Sequence, residues 1–130
     1  MYALDTNTLI YWFKGLGRVG QRLLAESPSN VAIPSVVLYE VELGIALSTQ
    51  SAKRRKQLDA LLGVVTVLPF EETAAKSSAQ IESTLRAAGT PIGPFDVLIA
   101  GTALANRAVL ITHNVREFRR VRGLQVADWF

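Results

Sequence analysis

Short apolar runs along the chain alternate with longer stretches of helical spacing. Residues 1–5 read as a buried strand, and Thr6 to Phe13 as a helix with Thr6 or Asn7 as its N-cap. Gly17–Glu26 reads as a second helix, and Ser27-Pro28-Ser29-Asn30 as a turn. Val31-Ala32-Ile33 is a short strand closed by Pro34. Ser35 then caps a helix running to Leu47, and another spans Ser51–Leu62. Val64–Leu68 is a β-branched strand, followed by a long helix from Glu71 to Ala88 and a loop rich in breakers at 89–94. Helix returns at Phe95–Asn106, then strand at Val109–Ile111 and at Leu124–Val126. Alternation of this kind predicts an α/β sandwich around a mostly parallel sheet.

Composition narrows this picture. The chain has 130 residues, the size of one domain, and no internal repeat or linker is visible. It is 49% hydrophobic and 19% charged, which favours a packed core over disorder. No apolar run is long enough to span a bilayer, and the start does not read as a signal peptide, so a cytoplasmic protein is expected. The absence of cysteine excludes disulfides, thiolate metal sites and thiol nucleophiles.

Three carboxylates stand out against the apolar pattern. Asp5 ends the first strand, while Glu40 and Asp96 interrupt otherwise apolar helices. Brought together, each close pair repels by about 4 kcal/mol at an effective dielectric near 20. A divalent cation is the natural means of holding them in one place. Helical spacing puts Glu40 on a stripe with Val36, Leu43, Gly44 and Leu47, facing inward or into a cleft, with Gly44 leaving room for a neighbouring backbone. Glu42 falls on the far side, solvated or paired. Asp96 shares a face with Ile99, Ala100 and Ala103, although an aspartate in a first turn also complements the helix dipole. Asp5 has a bland reading too, as a cap at a strand-to-helix junction. Carboxyl ends of strands in open α/β sheets are nevertheless where such folds place their sites.

A fourth element is Thr112-His113-Asn114-Val115-Arg116-Glu117-Phe118, where a buried strand ends in a polar turn. Thr112 and Asn114 can hydrogen-bond near a metal-held water, and Glu117 can add negative charge. The lone histidine, His113, reads as an exposed loop residue. No serine–histidine–acid arrangement and no phosphate-cradling glycine loop is present. Net charge is +3, with basic residues concentrated at Lys53–Lys56 and at Arg116, Arg119, Arg120 and Arg122. A positive rim beside an acidic, metal-filled pocket suits RNA or DNA. Arg116, Arg119 and Arg120 are therefore candidate RNA contacts.

Four motifs in order, Leu4-Asp5-Thr6-Asn7, Glu40-Val41-Glu42-Leu43-Gly44, Pro94-Phe95-Asp96-Val97-Leu98-Ile99-Ala100 and Thr112 to Phe118, resemble those of the PIN-domain ribonucleases. Their order and spacing resemble most the VapC-type toxins of bacterial toxin–antitoxin pairs, over essentially the whole chain. The resemblance implies a single PIN domain over residues 1–130, folded as a three-layer α/β/α sandwich. It also implies a Mg²⁺- or Mn²⁺-dependent endoribonuclease cleaving structured RNA, tRNA among the targets, by metal-activated water. Asp5, Glu40 and Asp96 match the family's metal-binding acids. Where many members carry another aspartate this chain has Asn114, so whether Asn114 or Glu117 completes the site, and whether one or two ions bind, stays open. The implied partners are a cognate VapB-type antitoxin and a second copy of the chain in a homodimer.

Two other readings remain. A catalytically weak RNA-binding or antitoxin-titrating protein with the same fold draws on Asn114. A Mg²⁺-dependent phosphatase of another α/β fold would use Asp5 as nucleophile, but Asn7 stands where a second aspartate is usual.

Overall fold

A computed structural model describes residues 1–130. Five strands form one sheet: β1 (Tyr2–Leu4), β2 (Val31–Pro34), β3 (Thr66–Leu68), β4 (Val109–Ile111) and β5 (Val126–Ala127). Their spatial order is β3-β2-β1-β4-β5, and every pairing is parallel. Ala3, Leu4, Ala32, Ile33, Leu110 and Ile111 are wholly buried, as parallel strands covered on both faces require. The helices are α1 (Thr6–Lys14), α2 (Val19–Leu24), α3 (Ser35–Leu47), α4 (Ser51–Leu62), α5 (Glu72–Ala88), α6 (Pro94–Ala105) and α7 (Val115–Phe118), with a single 3₁₀ turn at Pro28–Asn30. One hydrophobic core runs through the molecule, anchored by Trp129, Phe118, Leu9 and Leu58.

From β1 the chain builds outward to β2 and β3, then crosses back to lay β4 and β5 on the other side of β1. The β1–β4 junction is therefore the point where strand order reverses, the position at which open α/β sheets place a crevice beyond the carboxyl ends of their strands. Asp5 follows β1 and Thr112 follows β4, so both sit at this crevice.

Sequence expectation and structure differ at several boundaries. Asp5 caps α1, as its reading at the strand-to-helix junction allowed and in place of Thr6 or Asn7, its Oδ1 accepting from the Thr8 backbone N–H at 2.8 Å. Pro34 rather than Ser35 is the cap residue of α3. The second helix is confined to Val19–Leu24, after Gly17 takes a left-handed φ of 61°. Val64 and Val65 are drawn into a turn, both N–H groups donating to the Leu61 carbonyl, so β3 begins only at Thr66. The last strand lies at Val126–Ala127, where pairing to β4 sets its place. The polar turn after β4 contains a short helix, α7.

In α3 the core face is Val37, Val41 and Ile45, not the stripe through Val36, Glu40, Leu43 and Leu47. Leu43 and Leu47 are exposed, and a side chain at Gly44 would meet open space rather than a neighbouring backbone. The helix is apolar nearly all round, so periodicity alone does not identify the buried face. By contrast, the expected face of α6 is correct: Ile99, Ala100 and Ala103 are fully buried. That helix lies hard against α5, where a methyl group at Gly101 would fall 1.9 Å from Ser78 Oγ and under 3 Å from Ser78 backbone atoms. Glycine lets the two helices approach, and this close packing sets the position of α6 and of Asp96 on it.

Candidate active site

Asp5 is buried at the head of α1, 4% exposed. Its backbone N–H donates to the Ile111 carbonyl at 3.1 Å, and Thr8 Oγ1 donates to the same carbonyl at 3.0 Å. These bonds pin the start of α1 to the end of β4. Burial raises the Asp5 pKa above its ordinary value, opposed by hydrogen bonds from Thr112 and Thr8 and reinforced by the negative charge of Asp128.

Glu40 projects from α3 toward α1, at the edge of a cleft of about 190 Å³ that Ile10, Phe13 and Ile45 help to line. Thr6 Oγ1 donates to Glu40 Oε1 at 2.7 Å. Two consecutive residues of the first motif thus serve two carboxylates: Asp5 is one itself, and Thr6 orients the other. Glu42 turns away and pairs with Arg55, whose Nη1 lies 2.7 Å from Glu42 Oε1, and the guanidinium holds the Glu42 pKa below its ordinary value. The expected difference between the two glutamates is present.

Asp96 stands in the first turn of α6, half-buried. Gly93 precedes the helix, and a Cβ there would come within 3.1 Å of Asp96 Oδ2, so the glycine leaves the carboxylate room. Burial first, then the charges of Asp5, Glu40 and Glu117, push its pKa up to about 6. Asp96 therefore feels three other carboxylates, which reach it from the end of β1, from α3 and from α7. None of the four takes part in an ion pair. The acids face a common space, but no three Asp, Glu or His side chains are drawn together into a ready ligand set.

Around this space, Thr112 is fully buried and its Oγ1 accepts from the Asn114 backbone N–H at 2.9 Å. Asn114 is the N-cap residue of α7 without a side-chain capping bond. Arg116 and Arg119 are exposed and unpaired, whereas Arg120 donates to the Pro91 carbonyl at 3.1 Å, bracing the loop that leads to α6. Of the first basic block, Arg54 donates to the Phe13 carbonyl at 2.7 Å and Arg55 serves Glu42, leaving Lys53 and Lys56 on the solvated face. Sequence reasoning passed over Thr6, Thr8 and Asp128. Thr6 was signalled by its place beside Asp5; Asp128 lies in no periodic pattern that could have marked it.

The PIN domain family model matches residues 2–124. The tRNA(fMet)-specific endonuclease VapC of Salmonella typhimurium is 32% identical over 128 residues, covering 98% of this chain and 97% of that protein. Ribonuclease VapC1 of Haemophilus influenzae is 34% identical over 131 residues, covering 99% and 98%. This chain belongs to the PIN-domain family, among the VapC ribonucleases. The fold agrees: VapBC2 from Rickettsia felis, solved bound to a promoter DNA fragment, superposes with a TM-score of 0.92 at 28% identity, covering 99% of this PIN domain and 98% of that chain. The sandwich expected for a PIN domain is thus the one observed, with its sheet entirely parallel.

The raised Asp96 pKa has a sign that can be measured in this PIN domain. An acid held at about 6 when folded and 3.8 ordinarily binds its proton more tightly in the folded chain. Stability from this group is full below the lower value and is lost as pH rises through the upper. A divalent ion needs the ionised form, so its stabilising effect runs the other way. Saturating Mg²⁺ is expected to raise Tm by about 3–10 °C at pH 8 and far less at pH 5. Asp96→Asn should raise the metal-free Tm at pH 8 and remove the Mg²⁺ increment. Thermal unfolding at both pH values checks this; an equal Mg²⁺ increment in the variant would mean that Asp96 holds no ion.

Proposed function

We propose that this PIN domain is a Mg²⁺- or Mn²⁺-dependent endoribonuclease, the toxin of a toxin–antitoxin pair, acting on structured RNA with tRNA as the leading candidate. The observation that carries the reading is Asp96, crowded by Asp5, Glu40 and Glu117 with no cationic side chain to offset them. Four hard oxygen donors without imidazole or thiolate suit Mg²⁺ or Mn²⁺ rather than a softer metal. Asp5, Glu40 and Asp96 would hold the ion, with Glu117 and Asn114 at its margin.

When bound, such an ion supplies positive charge for the scissile phosphate and acidifies water at neutral pH. The chain's own groups prepare for it. The Thr8 N–H donates to Asp5 Oδ1, Thr112 adds a further hydrogen bond to that acid, and Thr6 donates to Glu40 Oε1, so both carboxylates are oriented by the chain's own donors. Asp96, with its pKa pushed up to about 6, would be a ligand in its ionised form, which prevails above that pH. The hydrogen bond from Thr112 favours the charged form of Asp5 against the burial that raises its pKa.

Partners follow from the same features. The Rickettsia felis and Salmonella typhimurium relatives were solved as VapBC assemblies. An acidic crevice without an internal cation offers a Coulombic target for a basic side chain of an antitoxin. No helix is long and apolar enough to cross a membrane, which is compatible with the cytoplasmic setting where RNA is met. Tyr39, Leu43 and Leu47 form an exposed i, i+4, i+8 stripe on α3, and the Tyr39 ring lies 5.7 Å from that of exposed Phe95. This apolar face supports a homodimer.

Three outcomes test the reading. Asp5→Asn, Glu40→Gln and Asp96→Asn should each lower Mg²⁺-dependent cleavage of an initiator-tRNA transcript by about 100-fold or more, while Glu42→Gln stays within about twofold. Gel-resolved initial rates decide it; equal losses at Glu40 and Glu42 would undo the site, and cleavage that survives Asp5→Asn would sink the metal mechanism. Tight tRNA binding without any cleavage would favour the catalytically weak RNA-binding reading that Asn114 allows. Replacing Arg116 and Arg119 together by alanine should flatten log Kd against log salt by about 0.7–0.9 for each phosphate no longer neutralised; an unchanged slope places the RNA path elsewhere. Leu43→Arg with Leu47→Arg should convert the chain to a monomer by light scattering, and a dimer unaffected by both would move the interface.

A further inference from the structure

We propose that His113 and Phe130 form a ledge beside the acidic crevice on which an unpaired base of the RNA stacks, a reading that rests on the nuclease assignment and deepens it. The His113 and Phe130 rings are stacked with centroids 4.4 Å apart and 26° between planes. Tyr11 closes on both edge-on, 5.8 Å from His113 and 4.9 Å from Phe130. His113 Nδ1 lies 2.9 Å from Asp128 Oδ2, and Asp128 Oδ1 accepts the Phe130 backbone N–H at 2.9 Å. One carboxylate thus holds both rings.

The ledge is fixed from below as well. The Phe130 carbonyl accepts the Arg18 backbone N–H at 3.0 Å. Gly17, at φ 61°, lies so close that a side chain there would fall 2.8 Å from the Phe130 ring. Trp129 between them is buried to 1% exposure and roots the segment in the core. The two rings themselves stay outside that core: the His113 side chain is 47% exposed and Phe130 is 39% exposed. Aromatic surface held rigid yet open is poorly explained by packing, since burial would have stabilised it more.

Position supplies the function. His113 is the next residue after Thr112, which ends β4 at the crevice and donates its backbone N–H to Ala127, the neighbour of Asp128. Asp128, which holds His113, lies near enough to Asp5 for its negative charge to bear on that acid, so a strand with a phosphate over Asp5 would bring an adjoining base to this rim. Single-stranded RNA is commonly held by stacking of splayed bases on aromatic side chains. Arg18, exposed and outside any ion pair, stands at the same edge to meet a flanking phosphate. The ledge would therefore select for an unpaired base near the cut, which a duplex does not present.

The test compares a fluorescein-labelled A12 RNA with a 12-residue abasic ribose-phosphate chain, by anisotropy, with Ca²⁺ replacing Mg²⁺. Wild type should prefer A12. Phe130→Ala and His113→Ala should each weaken A12 binding by about tenfold and leave the abasic chain unchanged. Phe130→Trp should restore the preference. A 2-aminopurine within the strand should be quenched by wild type and not by Phe130→Ala. The proposal is overturned if wild type shows no preference for A12, or if the alanine variants lose equal affinity for both chains. Because binding is read without cleavage, failure of the nuclease reading appears separately, as intact RNA in Mg²⁺ with the A12 preference retained.

Discussion

The crowding of Asp96, by burial and by carboxylates from three other elements, is the constraint on which the site depends. Asp5, Glu40, Asp96 and Glu117 come from four different elements, so no local stretch of chain brings them together. Their approach is enforced by the packing of those elements: β1 and β4 pair directly, Thr6 draws in Glu40, and Gly101 lets α6 settle against α5. Each of these interactions is formed before any ion arrives, so the unfavourable charge is carried by the stability of the whole core. Burial first, and the neighbouring carboxylates second, push the Asp96 pKa up to about 6.

Placement at the junction also explains why the acids can be buried at all. An aspartate enclosed in apolar surroundings without partners is untenable. Asp5 escapes this by doing two things at once, closing the amino end of α1 and facing the crevice. Its cap bond to Thr8 and its neighbour Thr112 provide the polar partners that the strand itself lacks. The same hydroxyl-bearing residues that stabilise the charge restrict its rotation, and a site made this way is organised in advance of its ligand.

Much of the architecture was legible in the chain because short apolar runs and helical spacing carry it. The strands at β1, β2 and β4 lie where the pattern puts them, and the buried face of α6 was read correctly. The pattern lost its meaning in α3, where apolar residues surround the helix and only tertiary packing decides which side is core. Glu40 does sit at a cleft, but the stripe through Leu43 and Leu47 that placed it there is exposed. Short-range backbone bonding decided the ends of α2 and β3, at a scale finer than hydrophobic periodicity resolves. The Asp128–Phe130 segment was silent in the sequence: its role comes from Gly17, Arg18 and His113, which are distant along the chain.

The capping role of Asp5 has an evolutionary side. Asparagine caps a helix about as well as aspartate does, so the fold has little to lose from that exchange. In the genetic code the two residues are separated by one base change. A gene for a chain like this one is therefore a single mutation from encoding a stable protein that keeps the surface of a toxin and lacks its charge.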